Sequence, residues 1–95
     1  MEKLTESEVA SSLAAVPEWS EAGGQIQRTY QFDDFLESIA FVNAVAKSAE
    51  AAAHHPDILI RYNKVTLSLV THDAGGITAK DFDLAKEADG LAEKV

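Results

Sequence analysis

Residues 57–72 read DILIRYNKVTLSLVTH, and this stretch decides the fold. Apolar side chains recur at every second position, which is the period of a β-strand with one buried face. The recurring residues are Ile58, Ile60 and Tyr62 in a first strand, then Val65, Leu67 and Leu69 in a second. Asn63-Lys64 lies between them and predicts a turn. The stretch is therefore predicted to form an antiparallel hairpin.

A second hairpin is predicted upstream. Residues 26–32 alternate in the same way, with Ile26, Arg28, Tyr30 and Phe32 on one side. Gly23-Gly24 precedes this run and predicts a turn from a short strand around Trp19. The long segment between the two hairpins carries no strand pattern, so the hairpins should be joined by a different kind of element.

Three helices are predicted from their N-terminal caps. Each begins at a capping residue with an acidic residue three positions later: Thr5 with Glu8, Asp34 with Glu37, and Thr78 with Asp81. Pro17 is expected to end the first helix. Pro56 disfavours helical geometry at His55, so the second helix should stop at about Ala53 or His54.

The helices should face the sheet with apolar residues at three- and four-residue spacing. For the second helix these residues are Phe35, Ile39, Val42, Ala46, Ala49 and Ala53. For the third helix they are Leu84, Ala88, Leu91 and Val95. Gly90 is a weak point inside the third helix or a sign that the helix ends early.

The resulting element order is α-β-β-α-β-β-α. Two hairpins separated by a long helix predict an α+β fold, with a four-stranded antiparallel sheet and three helices packed on one face. The chain has 95 residues, which is enough for one compact domain and too few for two. We therefore expect a single domain over residues 1–95.

Composition excludes several classes of function. The formal net charge is −8, from 16 acidic and 8 basic side chains, and an acidic surface repels nucleic-acid phosphates and anionic lipid. The chain has no cysteine, no apolar run of ~20 residues that could span a bilayer, and no N-terminal secretory pattern. We expect a cytoplasmic protein that binds neither nucleic acid nor membranes. So small a core also favours a homo-oligomer.

The chain has only three histidines, and all lie between residues 54 and 72. His54 and His55 follow the second helix, and His72 follows the second hairpin. A hairpin returns its end to where it began, so His72 is expected to approach the other two. Histidine gives and accepts protons near neutral pH. Several imidazoles in one pocket suit a reaction that removes one proton while protonating a leaving group.

Nearby carboxylates could orient these rings. Glu50 lies one helical turn before His54 and is expected to orient it. Asp73 and Asp81 are candidates to orient His72, although Asp81 could equally be only a helix-capping acid. A structural or surface role for the histidines remains the alternative. A metal site is disfavoured, because no two histidines have the i, i+4 helical spacing of zinc enzymes.

Three segments carry a resemblance to a known family. They are EAAAHHPD at 50–57, YNKV at 62–65 and THDAGGIT at 71–78, followed by Asp81 and Leu84-Ala85. Together with Tyr30, Phe32 and Asp34-Phe35 upstream, they resemble the pterin-4a-carbinolamine dehydratase family over nearly the whole chain. Ile58 departs from a tryptophan common in the family, and Ala53 from a common polar residue.

The resemblance implies the same α+β fold and the dehydration of a 4a-hydroxytetrahydropterin to the quinonoid dihydropterin. This reaction recycles the cofactor of aromatic amino acid hydroxylases. The resemblance further implies that His54, His55 and His72 are catalytic and that Asp81 supports a histidine from behind. Five flanking residues are expected to contact the pterin: Glu50, Pro56, Asp57, Thr71 and Asp73.

No metal and no organic cofactor is expected, because N5 of the substrate supplies the electrons that expel the hydroxyl group. Members of the family form homodimers or homotetramers, so the same is expected here. The family also contains assembly factors without dehydratase activity. A non-catalytic protein-interaction module on the same scaffold is therefore the alternative function.

Overall fold

The fold was determined as a computed structural model that describes residues 1–95. The elements, in chain order, are α1 (Glu6–Leu13), β1 (Ser20–Ala22), β2 (Gln25–Gln31), α2 (Phe35–Ala52), β3 (Asp57–Arg61), β4 (Lys64–Leu69) and α3 (Ala79–Ala92), with a short 3-10 turn at His72–Ala74. All strands pair antiparallel in the order β1-β2-β4-β3. This confirms the predicted fold class and element order. None of the helices combines the length and the apolar character needed to cross a membrane.

The hairpin of β3 and β4 is confirmed, but its turn lies one residue earlier than predicted. Arg61 pairs with Lys64, so the two-residue loop is Tyr62-Asn63 and not Asn63-Lys64. Two-residue hairpin loops favour positive φ, and Tyr62 has a φ of 54°. The side-chain amide of Asn63 donates to the carbonyl oxygen of Phe32 at 3.0 Å, which ties the turn to the end of β2.

A single core of 16 buried apolar residues lies between the sheet and the helices. Alternate residues of the strands supply one side of it: Ile26, Tyr30, Val65, Leu67 and Leu69. Phe41 and Val45 of α2, with Phe82 and Ala85 of α3, supply the other. Buried and more exposed residues therefore alternate along the central strands β2 and β4, because only one face of the sheet is covered.

The stripe predicted for α2 was wrong in its rotation. The buried residues are Ser38, Phe41, Val45 and Ala49, whereas Phe35 is 48% exposed and Ala46 and Ala53 are exposed. Nearly every side of α2 carries an apolar residue, so spacing did not single out one face. The packed helix buries Phe41 and, beside it, the polar residue Ser38. Burial of Ser38 is tolerated because its hydroxyl donates to the carbonyl oxygen of Asp34 at 3.3 Å.

The helix starts are confirmed and the ends differ. Thr5, Asp34 and Thr78 cap their helices, and α2 ends at Ala52, one residue before the nearer of its two predicted ends. Helix α1 ends at Leu13, four residues before Pro17. Helix α3 runs through Gly90 to Ala92, so the glycine neither ends nor interrupts it, and Val95 lies beyond the helix, 41% exposed.

Asp89 fastens the C-terminal part of α3 to the sheet. Its Oδ1 accepts hydrogen bonds from Tyr30 (2.6 Å), Arg28 (2.8 Å) and the indole of Trp19 (2.9 Å). Burial, followed by the hydrogen bond to Asp89, raises the pKa of the Tyr30 hydroxyl far above its ordinary value, so it remains a donor. Because α3 also carries Asp81 at its other end, this anchor contributes to the position of the site described next.

Candidate active site

Helix α2 ends in a way that separates two adjacent histidines. Ala53 takes a left-handed conformation with a φ of 52°, and the backbone N–H of His54 donates to the carbonyl oxygen of Ala49 at 3.0 Å. This turn directs the chain toward β3. The His54 side chain becomes 9% exposed, whereas that of His55 is 60% exposed.

His54 is held by a fully buried aspartate. Its Nε2 lies 2.5 Å from Oδ1 of Asp81, and Asp81 has no exposed surface. The other oxygen, Oδ2, accepts from the Thr71 hydroxyl (3.0 Å) and from the Thr78 backbone N–H (2.9 Å). The Thr71 and Thr78 hydroxyl oxygens lie 2.7 Å apart. No fully buried side-chain nitrogen or oxygen is left without a hydrogen-bond partner, as a buried network requires.

His55 has a separate carboxylate at the surface. Its Nε2 lies 2.5 Å from Oε1 of Glu50, and the Glu50 side chain is 80% exposed. The orienting carboxylates were therefore assigned to the wrong rings. Glu50 contacts His55 and not His54, because the left-handed turn at Ala53 brings the fifth residue after Glu50 within its reach. Asp81 contacts His54 rather than His72, and it is at once helix-capping acid and histidine partner.

Thr71 connects the two histidine segments. Its hydroxyl donates to Oδ2 of Asp81, whose other oxygen, Oδ1, contacts His54. Thr71 is buried and its polar groups are engaged inside the chain. Its N–H donates to Gly76, and its carbonyl oxygen accepts from Ala74 and Gly76.

His72 follows Thr71 in an exposed turn. The turn closes on itself through the bridge between Thr71 and Gly76 and through Gly75, whose φ is 75°. His72 and Asp73 are both exposed. The segment that carries His72 is thus anchored through Thr71 to Asp81, and Asp81 also holds His54. That the three rings meet around one ligand remains a prediction.

A cleft of about 530 Å³ opens beside His54, between α2 and α3. Its apolar lining is Ala51, Ala52 and Leu84, and its polar lining is Lys47, Ser48, Lys80, Asp83 and Glu87. A volume of this size suits a small molecule. Sequence reasoning missed the cleft, because its lining comes from exposed faces of two helices whose separation no local pattern records.

Sequence reasoning also missed the role of the Thr78 side chain, which was treated only as a helix cap. The available signal was that a Thr-x-x-Asp capping box coincides with the acid expected near a histidine. No group of three or more His, Cys, Asp or Glu side chains converges closely enough to hold a metal ion. The expectation of a metal-free site remains a prediction.

The family model described as Pterin 4 alpha carbinolamine dehydratase matches residues 2–91. The chain belongs to this family. Among its relatives, a protein of Picosynechococcus sp., provisionally named a pterin-4-alpha-carbinolamine dehydratase, is 55% identical over 89 residues, which cover 94% of this chain and 97% of that protein. A protein of Acidobacterium capsulatum with the same provisional name is 50% identical, with 96% and 99% covered.

Two solved structures agree with the fold. The crystal structure described as a transcriptional coactivator/pterin dehydratase from Brucella melitensis superposes with a TM-score of 0.91 at 34% identity, covering 95% of this chain and 98% of that one. A pterin dehydratase-like protein identified as a RuBisCO assembly factor in the alpha-carboxysome reaches a TM-score of 0.68 at 24% identity, covering 79% and 89%. The second likeness shows the fold alone.

Proposed function

We propose that this protein is a pterin-4a-carbinolamine dehydratase, a hydro-lyase that removes water from a 4a-hydroxytetrahydropterin. The observation that carries the proposal is the pair of adjacent histidines, each bonded to its own carboxylate at 2.5 Å, beside the Thr71-His72 segment. Membership of the family and the names of the relatives support it.

The proposed reaction needs one proton acceptor and one proton donor. A neutral imidazole takes the proton from N5, the N5–H electron pair forms the N5=C4a bond, and the C4a–O bond breaks. A protonated imidazole delivers a proton to the departing hydroxyl group, which leaves as water. The products are the quinonoid dihydropterin and water, and the two imidazoles then exchange protons with solvent. We assign these steps to His54, His55 and His72, with no metal or organic cofactor.

The residues that flank the histidines would bind the pterin. These are Glu50, Pro56, Asp57, Thr71 and Asp73. Thr71 would form the inner wall of the pterin site rather than hydrogen-bond to the ligand, because its hydroxyl, N–H and carbonyl groups already have partners inside the chain. We further propose that the protein works as a homodimer or homotetramer in the cytoplasm. Its place would be the recycling of tetrahydropterin for aromatic amino acid hydroxylases.

The test is the rate of dehydration of freshly generated 4a-hydroxytetrahydropterin above the uncatalysed rate. His55→Ala and His72→Ala are each expected to lower kcat/KM by ~10²–10⁴-fold, the usual contribution of general acid–base catalysis. Both side chains are exposed, so thermal unfolding should hardly change. Lys64→Ala, at the opposite end of the same hairpin, is the control and should retain full activity.

The dependence on pH gives a second measurement. A reaction that needs one neutral and one protonated imidazole should show a bell-shaped profile of kcat/KM near neutral pH. Losses below tenfold in both histidine variants would contradict the proposal. A folded natural chain that does not accelerate dehydration would instead favour the non-catalytic interaction module.

A further inference from the structure

The hydrogen bonds around Asp81 have directions that the chain itself fixes. The backbone N–H of Lys80 donates to the Thr78 hydroxyl oxygen at 3.2 Å, so the hydroxyl hydrogen of Thr78 is available to another acceptor. The Thr71 hydroxyl donates to Oδ2 of Asp81, so its oxygen accepts from Thr78. The proton order therefore runs from Thr78 to Thr71 to Asp81.

This order leaves one carboxylate oxygen for His54. Oδ2 of Asp81 accepts from the Thr71 hydroxyl and from the Thr78 backbone N–H, and the backbone N–H can only donate. Oδ1 faces Nε2 of His54. A carboxylate oxygen has no hydrogen to donate, so the ring nitrogen that faces it must carry the hydrogen of this contact. Nε2 is thus the ring nitrogen that carries hydrogen, and Nδ1 is the other one.

We propose that Thr71 and Thr78 are positioning residues that fix the tautomer of His54. By filling Oδ2 they hold Asp81 with Oδ1 toward the ring, so Nε2 stays protonated and Nδ1 is the atom that gains or loses a proton. The exchange of that proton with a substrate rests on the function proposed above. The tautomer itself does not, because it follows from the contacts within the folded chain.

The amide variant Asp81→Asn makes the idea testable. Two donors surround the Oδ2 position, and one of them is a backbone N–H that cannot reverse. The amide oxygen must therefore occupy that position, and the amide NH₂ group must face His54. A donor opposite Nε2 requires Nε2 to accept, so the ring must switch to the tautomer with hydrogen on Nδ1. The corresponding change in a Ser-His-Asp protease lowers kcat by ~10⁴-fold through the wrong tautomer.

The experiment uses the full-length chain labelled with ¹⁵N in histidine. Two-bond ¹H–¹⁵N correlation spectra report which ring nitrogen carries hydrogen, at a pH where the rings are neutral. His55→Gln and His72→Gln each remove one set of signals and so identify His54. We expect the Nε2–H form in the natural chain and the Nδ1–H form in Asp81→Asn.

The threonines are tested in the same spectra. Thr71→Val is expected to give a mixture of tautomers and at least a tenfold lower kcat, and Thr71→Ser should restore both. Thr66→Val is the matched control. It breaks a threonine pair with the same 2.7 Å oxygen separation, between Thr29 and Thr66 in the sheet, and should leave His54 unchanged.

The inference and the proposed function fail separately. An Nδ1–H form in the natural chain, or a single Nε2–H form in Asp81→Asn or Thr71→Val, overturns the inference whatever the activity. The expected tautomers in a chain that does not dehydrate the pterin support the inference and count against the function alone. If Asp81→Asn does not fold, Thr71→Val and Thr71→Ser still decide.

Discussion

His54 and His55 are neighbours in the chain, and each contacts a carboxylate through Nε2 at 2.5 Å, yet the two pairs differ in their burial and in the other partners of the carboxylate. The Asp81 side chain is completely buried, and that of Glu50 is 80% exposed. Two threonines lock Asp81 in place, whereas Glu50 lies on the open surface of α2. An equal distance thus describes a buried pair in one case and an exposed pair in the other.

The difference teaches that burial of the carboxylate, rather than the length of the contact, decides what a histidine pair contributes. A buried charge that loses its partner is costly, because water cannot replace the lost contact. An exposed pair is screened by water and contributes little. Asp89, with 26% of its side chain exposed, lies between these limits and supplies an intermediate case.

The largest effect is expected for Asp81→Ala. It removes the acceptor of His54, Thr71 and the Thr78 N–H at once in a fully buried place, and should lower the free energy of unfolding by about 3–5 kcal/mol. Chemical denaturation followed by circular dichroism measures the loss. A decrease below about 1 kcal/mol would mean that the buried network does not stabilise the fold.

Asp89→Ala should have the next largest effect. It leaves the Tyr30 hydroxyl, the Arg28 guanidinium and the Trp19 indole without their shared acceptor in a half-buried place. Unsatisfied buried donors cost roughly 1–3 kcal/mol, so a loss of about 2–3 kcal/mol is expected. The same denaturation experiment measures this loss. A loss equal to that of Asp81→Ala would show that the cost of removing a carboxylate does not increase with its burial.

Tyr30→Phe should change how stability depends on pH. The unfolded tyrosine ionises near its ordinary pKa of 10.0, whereas burial and Asp89 keep the folded one protonated well above that. The unfolded state therefore releases a proton first, and stability falls above pH 10 by about 1.4 kcal/mol per pH unit. The variant should lack this slope. Parallel curves for the two proteins between pH 9 and about 11 would contradict the prediction.

The smallest effect is expected for Glu50→Ala. Because this pair is exposed, the free energy of unfolding should change by no more than about 0.5 kcal/mol. The matched comparison is Asp81→Ala, in which a histidine also loses its carboxylate. A loss of several kcal/mol for Glu50→Ala would show that the exposed pair is structurally coupled to the rest of the site.

The sequence determined most of the fold. Capping boxes at Thr5 and Thr78, the cap at Asp34 and the period of two in the hairpins are local signals, and local geometry obeys them. The rotation of α2 was not determined, because apolar residues occur on nearly all of its sides. The face containing Phe41 and Ser38 became the buried one only when the helix packed on the sheet.

For the site, the sequence determined which residues are present and that β3 and β4 return to one end of the sheet. Only the tertiary structure decided which carboxylate holds which ring. Spacing predicted a contact between Glu50 and His54, but a left-handed residue at the helix end brings His55 into contact with Glu50 instead. Asp81 reached His54 from 27 residues away, because the packing of α3 against α2, rather than proximity in the chain, set that distance.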